Sequence, residues 1–86
     1  MTNPPLYRCW MGLSTTGTNL EADQCTAENG APTQAGFHPG SFEVVVALIG
    51  EGGSPVTYTC PQGVTLSYNG AGLHVSAQPP VTAHAG

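Results

Sequence analysis

Towards the end of the chain, apolar and polar residues take turns. Val56, Tyr58 and Cys60 alternate with Thr57 and Thr59; Val64, Leu66 and Tyr68 alternate with Thr65 and Ser67; Leu73, Val75 and Ala77 alternate with His74 and Ser76. A period of two belongs to a strand with one face on a core and the other toward water. Between these segments lie Pro61-Gln62-Gly63 and Asn69-Gly70-Ala71-Gly72, both of which read as tight turns. Leu6–Leu13 alternates too, with Tyr7, Cys9, Met11 and Leu13 on one side and Leu6, Arg8 and Trp10 on the other. One stretch breaks the rule. Ser41–Gly50 is apolar on both faces, with Phe42, Val44, Val46 and Leu48 on one and Val45, Ala47 and Ile49 behind Glu43 on the other. Its β-branched residues and the flanking Gly40 and Gly50 make it a strand rather than a helix. Both of its faces need cover, and the second face is a candidate surface for another chain.

The pattern weakens over Ser14–Gly40, which is rich in Thr, Gly, Asn, Ala and Pro. Thr18-Asn19-Leu20-Glu21 fits a capping box and Asn29-Gly30 a left-handed C-terminal cap, so one or two helical turns are expected over Leu20–Glu28. The remainder of 14–40 reads as irregular, and connections of that length commonly serve an interaction. Pro4-Pro5 and Pro79-Pro80 stiffen the two ends toward the polyproline conformation. The expected architecture is all-β: a small antiparallel meander or sandwich of about five strands. It comprises an N-terminal arm (1–5), a single β domain (6–77) and a C-terminal arm (78–86).

Composition sharpens this picture. Eighty-six residues make one domain. The formal net charge is −4, there is no lysine, and Arg8 is the only strong base. Nucleic-acid and anionic-membrane partners both require clustered cations and are excluded on that ground. Charged residues are 7% of the chain, against about 25% in ordinary soluble domains. Such poverty suits a protein packed in an assembly or working outside a cell. The N-terminus shows no basic stretch followed by an apolar one, so it does not read as a secretory signal. Cys9, Cys25 and Cys60 are an odd set, which favours buried free thiols over a disulfide framework; one disulfide with one free cysteine is the alternative.

Catalytic and metal chemistry find little footing. The cysteines and the histidines His38, His74 and His84 lack the close pairs of zinc sites. A serine or cysteine hydrolase would need a nucleophile signature that the chain does not contain. Glu21, Asp23 and Glu28 lack the spacing of a calcium loop. Tyr58-Thr59-Cys60 resembles the Tyr-x-Cys of a late immunoglobulin strand, but Trp10 precedes both later cysteines instead of lying between a pair. Trp10 and the rings of Tyr7, Phe37, Phe42, Tyr58 and Tyr68 are expected in the core, because a small domain needs every aromatic for burial. No cofactor or small-molecule substrate is expected.

The two-faced strand, the low charge and the stiff ends point to a non-enzymatic structural component of a large assembly. In size and composition the chain resembles the small capsid-decorating (cement) and minor capsid proteins of bacteriophages. That resemblance implies a virion component made in the host cytoplasm, binding across major capsid subunits, with the major capsid protein or a second copy of the chain as partner. Its expected contacts are Val45, Ala47 and Ile49, with Pro4, Pro5, Leu6 and Tyr7 from one end and Pro79, Pro80 and Val81 from the other. The alternative expectation is a secreted or surface β-rich binding module, inhibitor- or adhesin-like, held by one disulfide.

Overall fold

The computed structural model describes residues 4–13, 20–49, 55–70 and 72–85. Among them are eight strands and no helix: β1 (Leu6–Leu13), β2 (Leu20–Glu28), β3 (Gly36–His38), β4 (Phe42–Ile49), β5 (Val56–Cys60), β6 (Val64–Asn69), β7 (Gly72–Ala77) and β8 (Thr82–Ala85). They form one sheet ordered β3-β6-β7-β2-β1-β4-β5-β8. Neighbours run antiparallel except β1 and β4, which are parallel. The all-β expectation holds, but the sheet is mixed and has more strands than the meander drawn from the sequence.

The connection between β5 and β6 dictates the shape. In a flat sheet these strands would lie five spacings, or about 24 Å, apart. Only Pro61, Gln62 and Gly63 join them, and four extended Cα steps reach at most about 14 Å. The sheet therefore curls, bringing its two ends together over one inner face. Pro61–Gly63 is a corner between the two halves rather than a hairpin turn. Gly63 has φ +97°, and a Cβ there would stand 2.7 Å from the His38 carbonyl oxygen and 2.9 Å from the Phe37 ring. Only glycine fits both conditions.

The inner face is the core. Tyr7 and Cys9 of β1, Leu20 and Ala22 of β2, Phe42, Val44 and Val46 of β4, and Tyr58 and Cys60 of β5 meet Val64, Leu66, Leu73, Val75 and Ala77 from β6 and β7. Tyr7 and Phe42 pack as tilted rings with centroids 5.8 Å apart. Each fully buried aliphatic or aromatic side chain contributes roughly 1.5–3 kcal/mol. The segment between β2 and β3 closes one end, with Ala31 buried. There the Tyr7 hydroxyl donates to the Pro32 carbonyl at 2.7 Å, and the Tyr68 hydroxyl donates to the Thr33 carbonyl. Burial, with a smaller contribution from Tyr68, pushes the Tyr7 phenol up to about 12.

Residues 20–28 are not helical. The helical turns expected from the capping signals yield to pairing on both sides, with β1 and with β7. The Thr18 end of the capping box lies outside the described residues. Asn29 and Gly30 do take left-handed angles (φ 57° and 81°), but they end a strand, and Ala31 N–H donates to Glu28 C=O. The irregular segment expected over 14–40 thus supplies β2 and β3. Within the C-terminal arm, Thr82–Ala85 is likewise a strand, β8, paired with β5.

The β1–β2 ladder pairs Cys9 with Cys25 and Met11 with Asp23. Between them Gln24 takes φ 57°, and the β2–β7 register shifts between Ala22 and Cys25. This bulge reverses the phase of both strands. Before it, Cys9 faces the core; beyond it, Gly12 does, where a Cβ would stand 2.8 Å from a Val46 methyl. Met11 consequently leaves the core side assigned to it by simple alternation and is 49% exposed.

Candidate interaction surface

The strand β4 sits in the sheet interior, so its inner residues Phe42, Val44 and Val46 are buried, while Val45 and Ala47 on the outer face are half-buried. The parallel ladder sets Arg8 beside Val45 and brackets Trp10 level with Ala47. Trp10 projects outward because Cys9, one residue earlier, projects inward. It is 54% exposed. The outer face of β1 and β4 therefore carries an apolar stripe of Trp10, Val45 and Ala47, continued by Met11. Polar residues border it: Arg8 and Glu43 on the same strands, and Thr57 and Thr59 on β5.

Beyond the bulge the outer face turns polar. Asp23 and Glu21 of β2 approach His74 of β7 from both sides, with Asp23 Oδ1 2.7 Å from Nδ1 and Glu21 Oε1 3.2 Å from Nε2. Asn69 Nδ2 donates to the same Asp23 oxygen at 3.0 Å. The Asn69 and His74 hydrogen bonds hold the Asp23 carboxyl below the usual carboxylate range. Glu21, Asp23 and His74, with Met11 and Gly12, line a cavity of about 280 Å³. Among the described residues no cluster of His, Cys, Asp and Glu is arranged to hold a metal ion. At the opposite end of β1, Arg8 Nε donates to Glu28 Oε2 at 2.9 Å, an exposed pair that depresses the Glu28 carboxyl.

Cys9 and Cys25 form a disulfide across β1 and β2, and Cys60 is a buried free thiol. Three free thiols were the first expectation; the regular antiparallel register of β1 and β2 instead places two of the cysteines directly opposite each other on the core side. Burial pushes the Cys60 thiol up to about 12, which keeps it protonated and unreactive.

The expected contact residues divide. Val45 and Ala47 lie on the outer face as anticipated, and the side chain of Ile49 lies outside the described part of the structure. Pro4, Pro79 and Pro80 are exposed and Pro5 is half-buried. Leu6, Tyr7 and Val81 are buried in their own chain, at 9%, 0% and 8% exposure, and offer no surface to a partner. The two proline ends precede β1 and β8, which β4 and β5 separate in the sheet. Of the aromatic residues expected in the core, Tyr7, Phe42 and Tyr58 are there, whereas Trp10, Phe37 and Tyr68 are more than half exposed. The outward position of Trp10 was legible: it shares the phase of Arg8. The Glu21–His74–Asp23 cluster was not, because it depends on the bulge and on pairing between β2 and β7.

No protein-family model, curated protein or solved structure matches the chain.

Proposed function

We propose that this chain is a non-enzymatic structural module that docks onto a protein partner through the outer face of β1 and β4. Its most concrete form is a bacteriophage capsid-decorating or minor capsid protein that bridges major capsid subunits. The observation that carries this reading is the half-exposed Trp10, level with Ala47 and on the same face as Val45, on a chain with 7% charged residues. Protein interfaces take this form, with an aromatic anchor over a small apolar centre and polar groups at the rim. A standard interface buries about 800 Å² on each partner. The accessible surface of the chain is 4892 Å², so docking would occupy a substantial share of it. Many copies that bind only the assembled shell stabilise that shell by mass action.

A second reading, a secreted or surface binding module, is favoured by the Cys9–Cys25 bond. Disulfides persist both in secreted proteins and on virion surfaces, so the bond admits both settings. The test is to purify the particles produced by the genome that encodes the chain and to quantify the chain in them by mass spectrometry. The capsid reading expects many copies per particle, lost with Trp10→Ser. Absence from particles, with free monomer in the medium, would overturn it in favour of the secreted module.

A further inference from the structure

The outer face has a sign. Glu21, Asp23, Glu28 and Glu43 all stand on it, toward the two ends of the stripe, against the guanidinium of Arg8, which Glu28 engages at 2.9 Å, and the imidazole of His74, which lies between Asp23 and Glu21 at 2.7 and 3.2 Å. No described charged side chain is buried in the core. Between the two acidic ends stand Trp10 and Met11, each about half exposed. The face of an indole ring attracts a cation lying over it, and a guanidinium in particular. Carboxylates within a Debye length add to that attraction and speed encounter with a positively charged partner.

We infer that the occupant of this face is a basic, arginine-bearing segment of the partner protein. One guanidinium stacks on Trp10 while neighbouring cations pair with the carboxylates at the two ends. The inference rests on the reading of this face as a protein-docking surface and adds the chemistry of what docks there. Charge complementarity selects this occupant: a second copy would set acidic face against acidic face, and a nucleic acid would be repelled.

The test uses the full chain with a nine-residue arginine peptide, compared with nine-residue lysine and glutamate peptides. Trp10 is the only tryptophan, so its fluorescence reports occupancy directly, and calorimetry reads the variants. The arginine peptide is expected to bind saturably, to change the Trp10 emission, and to bind more tightly than the lysine peptide. Trp10→Leu keeps apolar area but removes the indole face, and should weaken binding roughly 2- to 30-fold. The double variant Glu21→Gln and Glu43→Gln should weaken it further and flatten its salt dependence. Circular dichroism checks that both variants remain folded.

Unchanged affinity in Trp10→Leu would overturn the inference, as would equal binding of the glutamate peptide. Concentration-dependent self-association without peptide binding would overturn it too, and would assign the face to a second copy. Two failures remain distinct. Particles that hold the wild-type chain and lose Trp10→Ser, without arginine preference, would leave docking standing and remove the basic occupant. Arginine selectivity in a chain absent from particles would do the reverse to the capsid setting.

Discussion

Two interior strands, β4 and β2, are built in opposite ways. β4 carries its stability in its own side chains: Phe42, Val44 and Val46 are buried in the core, and Val45 and Ala47 extend apolar character to the outer face. β2 has a weak apolar pattern and a bulge at Gln24, and is held by its neighbours instead. The Cys9–Cys25 bond and the Arg8–Glu28 pair tie it to β1, and the contacts of Asp23 and Glu21 with Asn69 and His74 tie it to β6 and β7. A strand can thus be dictated by local sequence or imposed by cross-links. The two kinds should fail differently.

The largest effect is expected in β4. Val44→Asp would place an unpaired carboxylate at a fully buried position, at a cost of several kcal/mol, comparable with the whole stability of a small domain. Loss of the far-ultraviolet strand signal at 25 °C is the expected result; a cooperative unfolding transition within a few degrees of wild type would contradict the role given to β4. Next comes the double variant Cys9→Ser and Cys25→Ser, which opens a loop of sequence separation 16 and should cost about 3 kcal/mol. Hydrogen exchange sharpens the comparison here. Amides of β2 should lose protection while those of β4 keep theirs, and equal loss in both strands would remove the distinction.

A smaller effect is expected where β1 meets β4. Gly12→Ala would press a methyl group against Val46, costing about 1–3 kcal/mol in a chemical-denaturation midpoint. A neutral result would mean that Val46 has room to move. The smallest effect concerns Asp23. Its folded-state pKa is depressed, so its contribution to stability is present above the unfolded value near 4 and is lost as pH falls through the folded value. Asn69→Ala removes the larger cause of that depression and should make the acid limb of the stability profile shallower. An unchanged acid limb would show that the Asn69 bond does not operate in solution.

The same contrast explains what could be read from the chain alone. β4, β5, β6, β7 and β1 were legible because each writes its burial into an alternating or doubly apolar pattern. β2 was read as one or two helical turns because Thr18–Glu21 and Asn29-Gly30 look like helix caps, and nothing within Leu20–Glu28 records that Cys25 lies opposite Cys9. β8 was read as an arm because Thr82–Ala85 owes its strand state to β5. The Asn69–Gly72 turn was legible as the β6–β7 hairpin, whereas Pro61–Gly63 proved a corner, since turn chemistry does not say which strands a turn leaves unpaired. On the candidate surface, Val45 and Ala47 follow from the two-faced strand. The neighbours of Asp23 require a positive φ at Gln24, a residue that gives no warning of one.

The strand order also has a consequence for synthesis. Chain growth runs from β1 to β8, yet β2 waits for β7 to cover its second edge, and β5 waits for β8. While the ribosome is adding the middle of the chain, both strands present open hydrogen-bonding edges, a state in which nascent chains pair with one another. Both edges are covered only once β7 and β8 have been made, and distant pairings of this kind make folding slow. A chain shortened before Thr82 would keep most of its core residues and still leave the β5 edge open, so its failure would take the form of aggregation during expression rather than a lowered melting temperature.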